Sequence, residues 1–346
     1  MKLKVLFGIL ISALFIFLTF RQVEFHDMFV ALKDANYLWL LPAFFVMLLS
    51  HWFRAMRWRY LMEPIKPMKT MPLFSALMIG YAVNNVFPLR LGEFFRAYAI
   101  AKSQNVSKSS SFATVIVERF ILDLMALLII LVVTILFYPF KLPYYELIRL
   151  GGYAILAMTL ALIVLIVFLI QKTDMTLNFL KSVLPHKIYV KVEPTFISFM
   201  KGCLVFKKSE HYFSILVLTV LIWVLYILSV YFIFSVFNFI IHYHLTIWSS
   251  VVILVVVTFS IMLPSSPGAL GTYHFLCTEV LKYFTVPSDQ AVSFAVISHA
   301  MNVLPFTILG LVYFLKGNLK FSDAASEEEF LDEEDASQPF PGTVEP

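Results

Sequence analysis

Apolar runs separated by short polar breaks organise the whole chain. Hydrophobic stretches cover residues up to Phe20, Tyr37 to Tyr60, Phe112 to Tyr138, Leu150 to Ile170, Phe213 to Ile241 and Gln290 to Leu315. Each approaches or exceeds the roughly 20 apolar residues that a helix needs to cross a bilayer. Two further runs are interrupted. Met71 to Phe87 is short and ends in Asn84-Asn85-Val86-Phe87-Pro88. Thr246 to Leu263 meets the break Pro264-Ser265-Ser266-Pro267-Gly268-Ala269-Leu270-Gly271-Thr272-Tyr273-His274 before a shorter run, Phe275 to Phe284. A proline cannot donate its backbone hydrogen bond and ends a helix. The pattern predicts an all-α, polytopic helical membrane protein with about six full spans plus two interrupted or re-entrant hairpins. If each interrupted run crosses fully, the count becomes eight to nine spans.

The polar connectors orient these runs. Lys2 and Lys4 precede the first helix and no Ala-x-Ala-like cleavage site follows it, so it reads as a signal anchor with its N-terminus in the cytoplasm. Arg21 to Asp34 holds more acids than bases and fits the outer face. Arg54, Arg57 and Arg59 end the second run, with Lys66 and Lys69 beyond. Cytoplasmic loops favour such bases. Arg54 and Arg57 share a helix face, and two readings fit them: snorkelling to phospholipid headgroups, or guiding an anionic one. Gln171 to His211 is lysine-rich and reads as cytoplasmic, with an interfacial amphipathic helix expected around Lys191 to Phe206. Pro139-Phe140-Lys141-Leu142-Pro143 reads as an external turn. Residues 1–321 form the membrane domain, and 322–346 read as an acidic, disordered cytoplasmic tail.

Composition supports this and removes alternatives. Hydrophobic residues make up 60% of the 346 and charged residues 14%, against about 45–50% and about 25% in soluble domains. Residues 323–346 carry nine acids and no base, which leaves 13 acids against 26 bases in the rest. Basic loops explain that excess, so no nucleic-acid partner is called for. Cys203 and Cys277 form no metal-spaced pair. His242 and His244 lack a third ligand nearby in sequence. No nucleotide-binding loop occurs, and no cofactor or metal is expected.

Candidate chemistry concentrates where ionisable groups enter apolar sequence. Asn84-Asn85-Val86-Phe87-Pro88-Leu89-Arg90-Leu91-Gly92-Glu93-Phe94-Phe95-Arg96 carries carboxamides, a backbone break and three charges. Glu118, Arg119 and Asp123 open the next span. Arg119 and Asp123, four residues apart, can pair, while Glu118 looks to Arg90 or Arg96. His299 and Asn302 lie within the last span. Ionisable residues at membrane depth are expensive and face a protein-lined cavity or each other. Paired broken segments in the two halves point to a transporter-like site near the midplane.

The string from Asn85 to Arg96, then Glu118-Arg119-x-x-x-Asp123, then Pro267-Gly268-x-x-Gly271, resembles the transmembrane region of lysylphosphatidylglycerol synthases, the flippase-like UPF0104 family. Arg54-x-x-Arg57-Trp58 is similar too. The resemblance covers nearly the whole chain up to the acidic tail. It implies a bacterial or archaeal cytoplasmic (inner) membrane protein, multi-pass, with both termini cytoplasmic. Two positions depart from the pattern: His274 stands where the family often has a glutamate, and His299 near where it often has an arginine. The synthases carry a C-terminal aminoacyl-transferase domain, and the short acidic tail here implies that this activity is absent.

The expectation is therefore a lipid translocase, not an enzyme, acting on a phospholipid or lipid-linked headgroup. Its polar cavity would be lined by Asn84, Asn85, Arg90, Glu93, Arg96, Glu118, Arg119, Asp123, His274 and His299. Pro88, Gly92, Pro267, Gly268 and Gly271 would break the backbone. Arginine forks match phosphate bidentately. Competing readings are a charge network that only fixes helix packing, a membrane enzyme for lipid headgroups, and an accessory subunit of an envelope-lipid or glycosyltransferase pathway. Protein partners under these readings are a second copy of the chain or an envelope-pathway enzyme.

Overall fold

A computed structural model describes residues 2–21, 23–87, 91–138, 145–186, 189, 193, 211–262, 267–317 and 319. Every regular element among them is helical. The first helices are α1 (Lys2–Phe20), α2 (Phe25–Lys33), α3 (Leu40–Met62), α4 (Thr70–Val86), α5 (Gly92–Gln104) and α6 (Lys108–Ile116). A π-helical turn (Val117–Asp123) joins α6 to α7 (Leu124–Phe137). The chain continues through α8 (Tyr145–Gln171), α9 (Thr173–Val183), α10 (Tyr212–Val236), α11 (Phe239–His242), α12 (Ile247–Met262), α13 (Thr272–Tyr283) and α14 (Ser288–Lys316).

Among the described residues, four helical stretches are long and apolar enough to cross a membrane: Tyr37–Met62, Ser110–Phe137, Tyr212–Val236 and Ser288–Lys316. Shorter apolar helices cover Leu10–Phe20, Arg149–Leu165 and Ile247–Ile261. The chain is an integral, multi-pass membrane protein. α14 shows why lipid is its solvent. Leu304, Ile308, Leu311 and Leu315 form one exposed stripe at helical spacing, while Phe306 and Gly310 on the other side are buried. In water that stripe would be a large apolar patch.

Both interrupted segments fold as helical hairpins. α4 packs on α5, and α12 packs on α13. α4 has 17 residues and α5 has 13, so at a rise of about 1.5 Å per residue neither arm matches a hydrocarbon core of about 30 Å. Glycine permits the first hairpin to close. A Cβ on Gly92 would run into the Gly80 carbonyl and the Asn84 side chain. Small residues at such contacts let helix backbones approach closely.

The two halves repeat one order of elements: a span, a hairpin, a span. In the first half these are α3, α4 with α5, and α6 running into α7. In the second they are α10, α12 with α13, and α14. The halves interlock, for α3 packs extensively on α10, α14 lies against α4, and α12 touches α7. The turn at Pro267–Ala269 packs on α4. A Cβ at Gly268 would lie 3.5 Å from the Asn85 carbonyl oxygen, so the tip of the second hairpin rests on the end of the first. α1 packs on α13, and α2 on α14.

Boundaries shift from the sequence reading where local chemistry decides them. The third span starts at Lys108, capped by the Ser107 hydroxyl accepting from the Ser110 N–H. The fifth ends at Val236, because Asn238 takes a left-handed conformation at φ 55°. The segment from Arg21 to Asp34, expected as an outer connector, is mostly helix α2. Pro88, Arg90, the external turn 139–143, most of the interfacial helix expected around 191–206, and the tail from 322 lie outside the described residues.

Candidate functional site

Five elements bring a charge cluster together in the membrane domain. α3 supplies Arg54 and Arg57, three residues apart on one face. α5 supplies Glu93 and Arg96 by the same spacing. α4 gives Tyr81, and α10 gives Thr219 and Tyr226. The π turn supplies Glu118, Arg119 and Asp123. In an α-helix, residues five apart point about 140° away from each other. Here the Leu124 N–H bonds the Arg119 carbonyl, an i→i+5 contact. That wider turn carries Glu118 and Asp123 to the same side, facing α3.

Glu118 is the hub. Its Oε1 accepts from Arg54 Nε at 3.1 Å, Arg54 Nη2 at 2.8 Å and Arg57 Nη2 at 3.1 Å. Its Oε2 accepts from Arg96 Nη2. Asp123 accepts from Arg57 Nη2 at 2.6 Å and Arg54 Nη2 at 2.8 Å. Arg54 Nη1 donates to the Tyr81 hydroxyl at 2.8 Å, and Arg57 Nη1 to Thr219 at 3.1 Å. The Arg96 guanidinium also lies 3.9 Å from the Trp58 ring centroid, a cation–π contact, with the indole N–H bonded to Thr114. At the rim, Arg119 Nη2 meets Glu93 Oε1 at 2.8 Å and its Nη1 meets Asp123 at 3.5 Å.

Two features set its chemistry. Four guanidinium groups face three carboxylates, so the described cluster carries one positive charge in excess. Arginine stays protonated in proteins. Moreover, Arg57 Nε, Arg96 Nε, Arg96 Nη1 and Arg119 Nε have no hydrogen-bond acceptor among the described residues. Exposure divides the cluster. The side chains of Arg57, Arg96 and Glu118 are 0–1% accessible, whereas those of Arg119, Glu93 and Asp123 reach 24%, 20% and 18%. Glu93, Arg119 and Asp123 form the accessible rim, behind which the other arginines are packed.

The remaining expected residues divide differently. Asn84 Oδ1 accepts from the Gly92 N–H at 2.8 Å and clasps the first hairpin. Asn85 Nδ2 donates to Thr307 on α14 at 2.8 Å. Both carboxamides thus hold helices. His274 and His299 sit at the second hairpin, their ring centroids 4.8 Å apart. His299 Nε2 bonds the Gly268 carbonyl at 2.7 Å. Pro267 and Gly268 form one turn, with Gly268 at φ 65°, and Gly271, at φ 88°, precedes α13. A Cβ there would also meet the Ser12 backbone of α1, so only glycine serves.

Arg54 and Arg57 correct the reading of snorkelling bases: both are buried, at 4% and 0% accessibility. Their shared face was legible, but Arg59 beside them, half-buried over Tyr60, looks the same in sequence. Tyr81, Thr219 and Tyr226 carry no sequence signal, because hydroxyls are ordinary in membrane helices.

The sequence pattern described for the lysylphosphatidylglycerol synthase transmembrane region matches residues 5–310. The chain belongs to that family. A UPF0104 membrane protein of Methanocaldococcus jannaschii is 24% identical over 321 residues, which span 89% of this chain and 93% of the relative. No solved structure matches.

Proposed function

We propose that this family member moves an anionic phospholipid or lipid-linked headgroup across the cytoplasmic membrane, with both termini in the cytoplasm. One observation carries the reading: a charge cluster with a positive excess and unpartnered guanidinium N–H groups, opening at the rim formed by Glu93, Arg119 and Asp123. A headgroup leaving water loses its hydration, and guanidinium groups replace those hydrogen bonds in the geometry that phosphate prefers. The carboxylates keep the arginines oriented, and the rim acids also suit a cationic substituent on the headgroup. Half-helices meeting at two hairpin tips are the arrangement on which transporters place such sites.

The test is transbilayer movement of fluorescently labelled phosphatidylglycerol in proteoliposomes. Wild-type protein should accelerate loss of label from the protected leaflet. Arg119→Ala and Glu93→Ala should abolish the acceleration while the purified proteins stay folded. A chemically altered lipid in the mass spectrum would instead assign an enzyme. Activity that appears only when an envelope-lipid enzyme is added back would assign an accessory subunit.

A further inference from the structure

One buried histidine adjoins the arginine cluster without bonding to it. His51 lies on α3, three residues before Arg54 and on the same face. It is buried, at 5% accessibility, and its Nδ1 has no hydrogen-bond partner among the described residues. Three other helices enclose the ring. Phe306 of α14 meets it edge-on, with ring centroids 4.3 Å apart. The Tyr81 ring of α4 lies 4.7 Å away, and the Tyr226 ring of α10 lies 6.4 Å away. Those two tyrosines are the ones that accept from Arg54 Nη1, at 2.8 Å and 3.4 Å. His51 therefore touches the polar edge of the cluster. Packing among aromatic rings does not call for an imidazole, and a buried polar atom without a partner is unfavourable. Ionisable groups at membrane depth, histidines among them, carry protons in pumps and transporters.

We propose that His51 is a proton site coupled to the arginine cluster: it takes up a proton when a phosphodiester anion occupies the Arg119 rim and gives it back when the rim empties. The inference rests on the lipid-translocase reading and deepens it. Charge sets the coupling. From α3 and the π turn, the groups whose charge acts on the ring are Arg54 and Arg119. From α4 and α10 the titratable neighbours are Tyr81 and Tyr226, and α14 brings the uncharged Phe306. Among the described residues no carboxylate pairs with the imidazole. With the rim empty, the cluster already holds one positive charge in excess. An imidazolium would add a second, away from water and beside two guanidinium groups, and that is strongly disfavoured. A phosphodiester headgroup brings one negative charge, and the proton on His51 then returns the loaded site to the charge of the empty one. Each ligand raises the affinity of the other by the same factor. Headgroup and proton together carry no net charge, so a pH gradient drives their movement and a membrane potential does not.

The experiment uses the purified full chain in neutral detergent, with dihexanoyl phosphatidylglycerol in one arm and dimethyl phosphate in the other. Both probes keep a constant charge over the histidine range. Calorimetry in buffers of different ionisation enthalpy counts protons taken up per anion bound. Wild-type protein should take up as many as about one proton per anion between about pH 5 and pH 8. Affinity should fall as pH rises, by up to about tenfold per unit where uptake is complete. His51→Gln, which keeps a polar side chain, and His51→Phe, which keeps a ring between Tyr81 and Phe306, should both bind the lipid with no uptake and no pH slope. In proteoliposomes, an imposed pH gradient should drive labelled phosphatidylglycerol across, and a potassium–valinomycin potential should not. Tighter binding in the lipid arm identifies the source as a headgroup, and equal binding with uptake identifies a free anion at the same coupled site. Wild-type binding without uptake across about pH 5 to pH 8, uptake that persists in both His51 variants, or movement driven by the potential overturns the proposal. Coupled uptake in protein that moves no lipid keeps the proton site and removes the translocase reading. Lipid movement indifferent to pH and to both His51 substitutions does the reverse.

Discussion

At the residue scale, Glu118 and Arg119 are neighbours in sequence with opposite duties. Glu118 is inaccessible and receives hydrogen bonds from Arg54, Arg57 and Arg96. Removing its charge leaves three guanidinium groups facing each other without their common counter-charge. Breaking a buried ion pair costs about 3–5 kcal/mol. Glu118→Gln should therefore lose most folded protein, read as a collapsed monodisperse peak and a lowered unfolding temperature in detergent. Arg119 sits at the accessible rim between Glu93 and Asp123. Exposed pairs contribute about 1 kcal/mol or less, so Arg119→Ala should unfold within a few degrees of wild type yet lose lipid movement. Equal destabilisation of the two variants would make the cluster a packing device throughout. Sequence showed both residues as charges at the start of a span. It did not show which one touches solvent, because that depends on where α3 and α10 lie.

At the element scale, the π turn and the first hairpin are the parts that aim the site. The π turn is one residue longer than a regular helix needs between Glu118 and Asp123. Deleting Leu122 would put these carboxylates four apart on an α-helix, again on one face. That deletion should be tolerated, with near-normal yield of folded protein. Deleting Leu128, inside the regular helix α7, rotates everything after it by about 100° and should abolish folding. If the two deletions behave alike, the π turn is not what aligns the carboxylates. In the hairpin, Gly92→Ala forces a Cβ against the Gly80 carbonyl and Asn84. Overpacking typically costs about 1–3 kcal/mol, and differential scanning fluorimetry should report that loss. The proline and glycine punctuation made both hairpins legible in sequence. The π turn was not, since Val117 to Asp123 reads as ordinary apolar helix with charges.

At the scale of the whole molecule, the cluster is shared by both halves, because Thr219 and Tyr226 of α10 complete what α3, α5 and the π turn begin. An anionic lipid seated at the rim binds only the assembled fold. At a hundred times its dissociation constant it should stabilise that fold by about 2.7 kcal/mol. Adding phosphatidylglycerol to detergent-solubilised protein should therefore raise its unfolding temperature, phosphatidylcholine should do so less, and Arg119→Ala should erase the difference. The apolar runs by themselves determined a multi-pass helical membrane protein with two interrupted segments, because a bilayer admits few ways to satisfy backbone hydrogen bonds. They also marked Glu93, Arg96, Glu118, Arg119 and Asp123 as misplaced charges with reason to be near one another. Only the tertiary structure decided the rest: that Arg54 and Arg57 turn inward to Glu118, that Asn84 and Asn85 clasp helices, and that His274 meets His299 at a separate hairpin. Those outcomes depend on contacts between segments tens to hundreds of residues apart, and local periodicity carries no record of which face of one helix meets which face of another.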